Sequence, residues 1–367
     1  CVLSVSPDPA CGRPAVRCWP IATNCRSWGW PKWWATCRDC SVYAAACCAN
    51  ARLNEAKALA IAFEQVEEGE ALLRDTNCQA VFAVGGGSVL DAAKMIAILH
   101  RNPGDLKFFD GIQKAKRPGL PVFAVPTTAG TGSETTPVSV ITDSASHRKI
   151  AVADGKLVPH YVALDPNLMK SMPPHITAST GMDALTHAVE SWLSKASTDS
   201  TRDLAAAATR AIFEYLPRAC RDGDDMEARE AMAMASFQAG VAFGRTSVGY
   251  AHAVAHQLGR VCGTPHGEAN AMVLPEVLEA YGDVVVEALT VLAKRVAPEG
   301  TDADHRWLIS RVRELRADLD LPLKPVGLES AHLDEAVRLA RREAGEFYPV
   351  PRYLDEATLR GIVASLL

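Results

Sequence analysis

Ala80-Val81-Phe82-Ala83-Val84-Gly85-Gly86-Gly87-Ser88 reads as a short strand running into a glycine turn, with the helix-forming run Val89–Leu99 directly behind it. Five apolar residues with no polar alternation suit a strand buried on both faces. A glycine turn between strand and helix lets backbone N–H groups approach a phosphate at the helix N-terminus. The spacing is not Gly-x-Gly-x-x-Gly, so by itself the turn is equally well structural. A second strand, Val122–Val125, leads into Pro126-Thr127-Thr128-Ala129-Gly130-Thr131-Gly132-Ser133-Glu134. Hydroxyls and glycines are crowded there just past a strand's C-terminal end, where open α/β sheets bind ligands. A capped turn alone needs only one or two hydroxyls.

The neighbouring sequence fits the same plan. Asn54–Arg74 is helical in pattern, Val138–Thr142 and Lys149–Ala153 form a β-hairpin, and Tyr161–Leu164 is the last strand before Asp165-Pro166. The expected fold is therefore an α/β, Rossmann-like nucleotide-binding domain with a parallel sheet over residues 51–178. Pro173-Pro174 and Thr177–Thr180 read as the hinge, followed over 179–367 by an all-α domain with breaks at Pro217, Gly223, Pro265, Gly282, Pro298 and Pro322.

The helical half carries a second pattern. Asp183 and His187 stand four residues apart in Gly181-Met182-Asp183-Ala184-Leu185-Thr186-His187-Ala188-Val189-Glu190, and so do His252 and His256 in Gly249-Tyr250-Ala251-His252-Ala253-Val254-Ala255-His256. At that spacing each pair shares a helix face. His266 follows in a loop between Pro265 and Gly267. Either pair alone is an ordinary helical pair. Two pairs interrupting apolar helices, with another histidine in a tight loop, point to a divalent metal that offsets the cost of burying them. Nitrogen and carboxylate donors without thiolate suit Fe(II), Zn(II), Mn(II) or Co(II), and donor type does not choose among these.

The composition excludes several classes. The chain has 367 residues, 48% of them hydrophobic, enough for two cores. Net charge is −5 with no long charged block, which speaks against nucleic acid. No apolar run approaches the ~18 residues of a membrane helix, and no basic–apolar–cleavage pattern opens the chain. A soluble, cytoplasmic protein is expected. Eight of the eleven cysteines and five of the seven tryptophans lie in the first 48 residues. A disulfide scaffold does not suit a Cys-poor body, and Cys37-Arg-Asp-Cys40 lacks the second pair of a zinc site. Residues 1–50 show neither period, and a truncated or frame-shifted reading of the gene, or a natural divergent segment, would explain them.

The motifs AVGGGSVLDAAK, PTTAGTGSE, GMDALTHAVESW, GYAHAVAHQLG and TPHGEANAMVLP resemble those of the iron-containing (group III) alcohol dehydrogenases, and the resemblance covers about residues 66 to 367. It implies that Asp183, His187, His252 and His266 hold the metal, iron by this resemblance alone. His256 matches a nearby non-ligand histidine that relays a proton, or it is a structural partner of the metal helix. Gly86, Gly87, Ser88, Asp91, Thr127, Thr128, Thr131 and Lys149 match positions that touch NAD or NADP. The implied chemistry is hydride transfer from a small alcohol to C4 of the nicotinamide, or the reverse on an aldehyde. The resemblance also implies a homodimer or larger homo-oligomer, with Phe243, Tyr250 and Val254 near the substrate by their closeness to the ligands. The family's opening strand-turn-helix unit, which helps choose NAD or NADP, is not found in 1–50. Alternatives are a maleylacetate reductase, a hydroxyacid–oxoacid transhydrogenase, a lyase like dehydroquinate synthase, or a metal-binding remnant without nucleotide affinity. No cluster of basic residues for a phosphate-bearing substrate lies near 245–275, against the lyase.

Overall fold

The computed structural model describes residues 2–7, 14–19, 42–46, 62–143 and 148–367, with backbone only for those before residue 62. The chain divides into two compact units, 1–127 with 133–164, and 128–132 with 165–367.

In the first unit, β1 (Val2–Pro7) and β2 (Pro14–Trp19) pair antiparallel. A four-stranded parallel sheet has the order β3 (Val42–Ala46), β4 (Ala80–Gly85), β6 (Val122–Pro126), β9 (Tyr161–Val162). Between β3 and β4 lies α1 (Phe63–Asp75), and α2 (Gly87–Arg101) follows β4. A second sheet of three strands joins β5 (Gly111–Ile112), β8 (Arg148–Ala153) and β7 (Val138–Asp143), the last two as the expected hairpin. Register sets Phe82 opposite Phe123 and Phe123 opposite Tyr161, and the last two rings stack at 4.6 Å. Such cross-strand aromatic pairs fix a parallel register by side-chain contact. Leu90, Met95, Ile98, Leu106 and Ile141 are among the side chains closed into this unit's own core.

β3 is a finding that periodicity does not anticipate. Val-Tyr-Ala-Ala-Ala has too little β preference to register as a strand, and its pairing with β4 decides its conformation. The start of the helix expected from Asn54 lies outside the described residues; the helix there begins at Phe63.

The second unit is helical: α3 (Pro174–Leu193), α4 (Asp199–Arg221), α5 (Met226–Thr246), α6 (Tyr250–Cys262), α7 (His266–Ala280), α8 (Val286–Val296), α9 (His305–Asp318), α10 (Leu333–Phe347) and α11 (Glu356–Ser365). Its Ala-, Leu- and Val-rich faces form a separate core. The division at Leu164/Asp165 falls earlier than the 178 expected, because Thr177–Thr180 is not a hinge. Pro174 occupies the first turn of α3, where its missing N–H costs nothing, and the helix runs on through the threonines. Thr177 and Thr180 donate their hydroxyls to carbonyls four residues back instead of breaking it. Pro217 likewise sits inside α4, one turn from its end, not at a break. Among the described residues no helix is long and apolar enough to cross a membrane.

Candidate functional site

α3 has no acidic residue in its first turn and no basic one in its last, and it buries Asp183, His187 and Glu190 on one face, at spacings of four and three. The side-chain donor atoms of Asp183, His187 and His252 all lie within 4.8 Å of one another. His266 Nε2, at the first residue of α7, is 3.2 Å from Asp183 Oδ1, and His252 Nε2 is 3.5 Å from the same atom. The four ligand candidates thus meet at one carboxylate oxygen. His187 approaches it at 3.9 Å with its ring flat against Phe243, centroids 3.9 Å apart. α7 reaches this position because Gly267 has no side chain: a Cβ there would stand 2.1 Å from the Ser179 carbonyl oxygen of α3.

Glu190 is the residue that sequence reading passes over. It accepts from the N–H groups of Gly249 and Ala251 at 2.8 and 2.7 Å, at the start of α6, and stands 2.6 Å from His252 Nδ1. A carboxylate at a helix N-terminus is favoured by the dipole and the free N–H groups. Here it also faces His252 Nδ1, whose N–H can donate to it, which leaves Nε2 as the atom for a cation. Its signal was in the sequence, as the next residue on the Asp183/His187 face.

The electrostatics leave a cation's place open. Among the described residues neither carboxylate pairs with a lysine or arginine. Burial works against the Asp183 charge, but the imidazoles around it hold its carboxyl well below the usual range. Burial pushes His187 down to about 3 and lowers His266. It opposes charge on His252 as well, yet Asp183 and Glu190 on either side push that histidine up to about 9. A proton is drawn to the position that a metal would fill, while among the described residues buried His252 Nε2 and Asn270 Oδ1 have no hydrogen-bond partner. Fe(II) or Zn(II) requires neutral imidazoles beside the charged carboxylate, so a metal would displace the proton from His252.

His256 stands apart from the four. Its ring lies parallel to that of His266 at 5.2 Å, and its Nδ1 is 2.6 Å from Glu343 Oε1 on α10. Phe243 meets the cluster through His187, whereas Tyr250 and Val254 are buried. They are closed into the helical core, and Leu354 N–H donates to the Tyr250 hydroxyl.

In the first unit the glycine turn forms as expected. Gly86 is the extended residue before α2, and Gly87 and Ser88 open the helix with their N–H groups free of intrahelical partners. Asp91 is tied inward: its carboxylate accepts from Ser133 Oγ at 2.6 Å, Val140 N–H at 2.9 Å and Lys94 Nζ at 3.3 Å. Lys94, another residue the sequence reading omits, is fully buried and also donates to Ser133 Oγ, Thr136 Oγ1 and the Val138 carbonyl. Thr127 N–H donates to Gly85 at 3.0 Å, which locks the two loops together at their start. Thr128–Gly132 belongs to the helical unit, where Gly132, at φ +60°, stands so close to α5 that a Cβ would be 2.7 Å from Gly240 Cα. Thr128 Oγ1 is buried without a hydrogen-bond partner, and Thr131 lies in the same short segment. Lys149 is exposed on β8.

One unit thus carries a parallel sheet with a glycine-turn helix, and the other carries helices that converge Asp and His on one point. Comparison with known proteins is specific. The sequence profile described as iron-containing alcohol dehydrogenase matches residues 60–166, and that of the C-terminal part of the Fe-containing alcohol dehydrogenase family matches 177–366. The chain belongs to the iron-containing alcohol dehydrogenase family. It is similar to the NAD-dependent methanol dehydrogenase of Bacillus methanolicus, 45% identical over 58% of this chain and 56% of that protein. It is 36% identical to the 1,3-propanediol dehydrogenase of Klebsiella pneumoniae, over 81% of this chain and 78% of that one. The solved structure of a 1,3-propanediol oxidoreductase superposes with a TM-score of 0.80 at 33% identity, covering 89% of this chain and 85% of the other. Across four relatives that are 43–45% identical to it, the chain spans 50–66% of their length.

Proposed function

We propose that the protein is a metal-dependent, NAD(P)-linked alcohol dehydrogenase, or aldehyde reductase in the reverse direction, acting on small alcohols or aldehydes. The observation that carries this reading is the buried Asp183/His187/His252 group with His266 beside it, lacking a cationic partner and held ready by Glu190. Asp183, His187, His252 and His266 would hold the metal, Fe(II) by family and Zn(II) by donor type. When bound, the metal supplies Lewis acidity toward the substrate oxygen. The chain's own residues do the rest. Asp183 supplies the negative charge at the centre, Glu190 fixes His252 so that Nε2 faces inward, and Phe243 covers one face of His187. Gly86, Gly87 and Ser88 offer N–H groups to a pyrophosphate, and Thr127, Thr128 and Thr131 offer hydroxyls to the nucleotide. Asp91 holds the second loop in place. His256, beside the cluster and partly exposed, is the group that would exchange a proton with solvent. A homo-oligomer is carried over as part of the proposal.

The test is a calorimetric titration of NADH into anaerobically Fe(II)-loaded full-length protein, followed by assays across short alcohols, diols and their aldehydes. Micromolar binding and turnover are expected. Metal retained with no NADH bound would leave only a metal-binding protein and defeat the dehydrogenase reading.

A further inference from the structure

His256 is the histidine that the four-ligand set leaves over, and its surroundings specify where its proton sits. Glu343 Oε1 is 2.6 Å from Nδ1, and the same oxygen accepts from the Tyr348 hydroxyl at 2.5 Å. The other oxygen accepts from Gln257 Nε2 at 2.9 Å. Glu343 is partly buried, which opposes its charge, but the donors from His256 and Tyr348 keep its carboxyl below the usual range. An ionised carboxylate only accepts hydrogen bonds, so the bond to His256 requires the proton on Nδ1 and leaves the lone pair on Nε2. The contact also spans the fold, joining α6 to α10 and so fixing the ring that lies parallel to His266. Tyr348 and Gln257 in turn hold the carboxylate, which gives the histidine a supported partner and not a mobile surface one.

We propose that Glu343, braced by Tyr348 and Gln257, is a positioning residue that fixes His256 in its Nδ1–H form, so that Nε2 takes up the proton released when the alcohol is oxidised. The inference rests on the dehydrogenase reading above. In the oxidation a bound nicotinamide would accept the hydride that leaves with the electron pair of the broken carbinol C–H bond. The hydroxyl proton goes to His256 Nε2, the C=O bond forms, and the transient imidazolium faces Glu343 until Nε2 returns the proton to water. Reduction of the aldehyde runs the same transfers backwards.

The test uses zinc-loaded full-length protein labelled with nitrogen-15 in histidine, with His256→Ala to assign the His256 signals. The wild type is expected to show a protonated Nδ1 and an unprotonated Nε2 at His256. Glu343→Gln, whose amide can donate, should move the proton to Nε2 or mix the two forms, and lower kcat about 10²-fold. KM values and metal content should not change. In the His256→Ala background Glu343→Gln should cost nothing further, and Tyr348→Phe, which keeps the carboxylate, should preserve the Nδ1–H form with a smaller loss of kcat. An unchanged Nδ1–H pattern in Glu343→Gln, or an equal loss of kcat with and without His256, would overturn the proposal. A wild type that binds metal but turns over no alcohol defeats the dehydrogenase reading, while the nitrogen spectra still decide what Glu343 does.

Discussion

The Asp/His cluster of the helical unit and the Asp91/Lys94 network of the α/β unit are both built from polar residues set in apolar surroundings, but they differ in what remains unsatisfied. In the cluster, among the described residues, His252 Nε2 and Asn270 Oδ1 are buried without partners, and neither carboxylate is paired with a lysine or arginine. In the loops, Asp91 and Lys94 are already bound to Ser133, Thr136, Val138 and Val140. Unmet buried atoms gathered around one carboxylate point to a missing ligand, because leaving them so costs free energy. A saturated network signals support. The cluster is a place for something to bind; Asp91 and Lys94 hold the backbone that would do the binding.

The contrast predicts effects of different kind and size. The largest is at Asp183. Asp183→Ala should drop metal from near one per chain to near none and lower turnover by at least about 10³-fold, since a bound metal contributes several kcal/mol. Elemental analysis of the variant checks it, and full metal occupancy would erase the distinction between the regions. Glu190→Gln keeps all four ligands yet should weaken metal binding about 10- to 100-fold, as a partner of a ligating histidine does; competition with a chelator measures this.

In the loops, Asp91→Ala should act mainly on stability. It leaves Lys94 buried without its carboxylate and should cost about 3 kcal/mol in unfolding free energy, read by calorimetry, with metal content unchanged. A loss of NADH affinity with no loss of stability would show that Asp91 meets the nucleotide directly. The smallest effect concerns pH. Burial pushes Glu134 up to about 7, against the pull of Lys94. A carboxyl raised in the folded state contributes stability below its unfolded value of about 4.5 that is lost as pH rises through about 7. Glu134→Gln should therefore melt higher than the wild type at pH 8 and no higher at pH 4.5; equal melting at both values would mean that Glu134 does not titrate in this range.

How much of this was legible in the sequence follows from range. β4, β6 and the β7–β8 hairpin were readable because buried apolar runs and a polar turn are local signals. So were the helical pairs Asp183/His187 and His252/His256, since period and spacing survive in one dimension. β3 was not, because an alanine-rich pentapeptide becomes a strand only by pairing with β4. Pro217 and Thr177–Thr180 misled as breakers, since packing tolerates a proline one turn from a helix end and threonine bonds back onto its own helix. Tyr250 and Val254 were placed by nearness in sequence, and the fold closes both into the helical core. Glu343 could not be found, for it reaches His256 from 87 positions away along the chain, and Tyr348 enters only by donating to Glu343.

The central claim is that the four ligand candidates form a nitrogen- and oxygen-lined metal site. X-ray absorption on the zinc-loaded full-length protein tests it most directly. One zinc per chain, with nitrogen and oxygen neighbours at about 2.0–2.2 Å and no sulfur near 2.3 Å, is the expected result. Sulfur in the first shell, or a shell of water oxygens unchanged in Asp183→Ala, would contradict it.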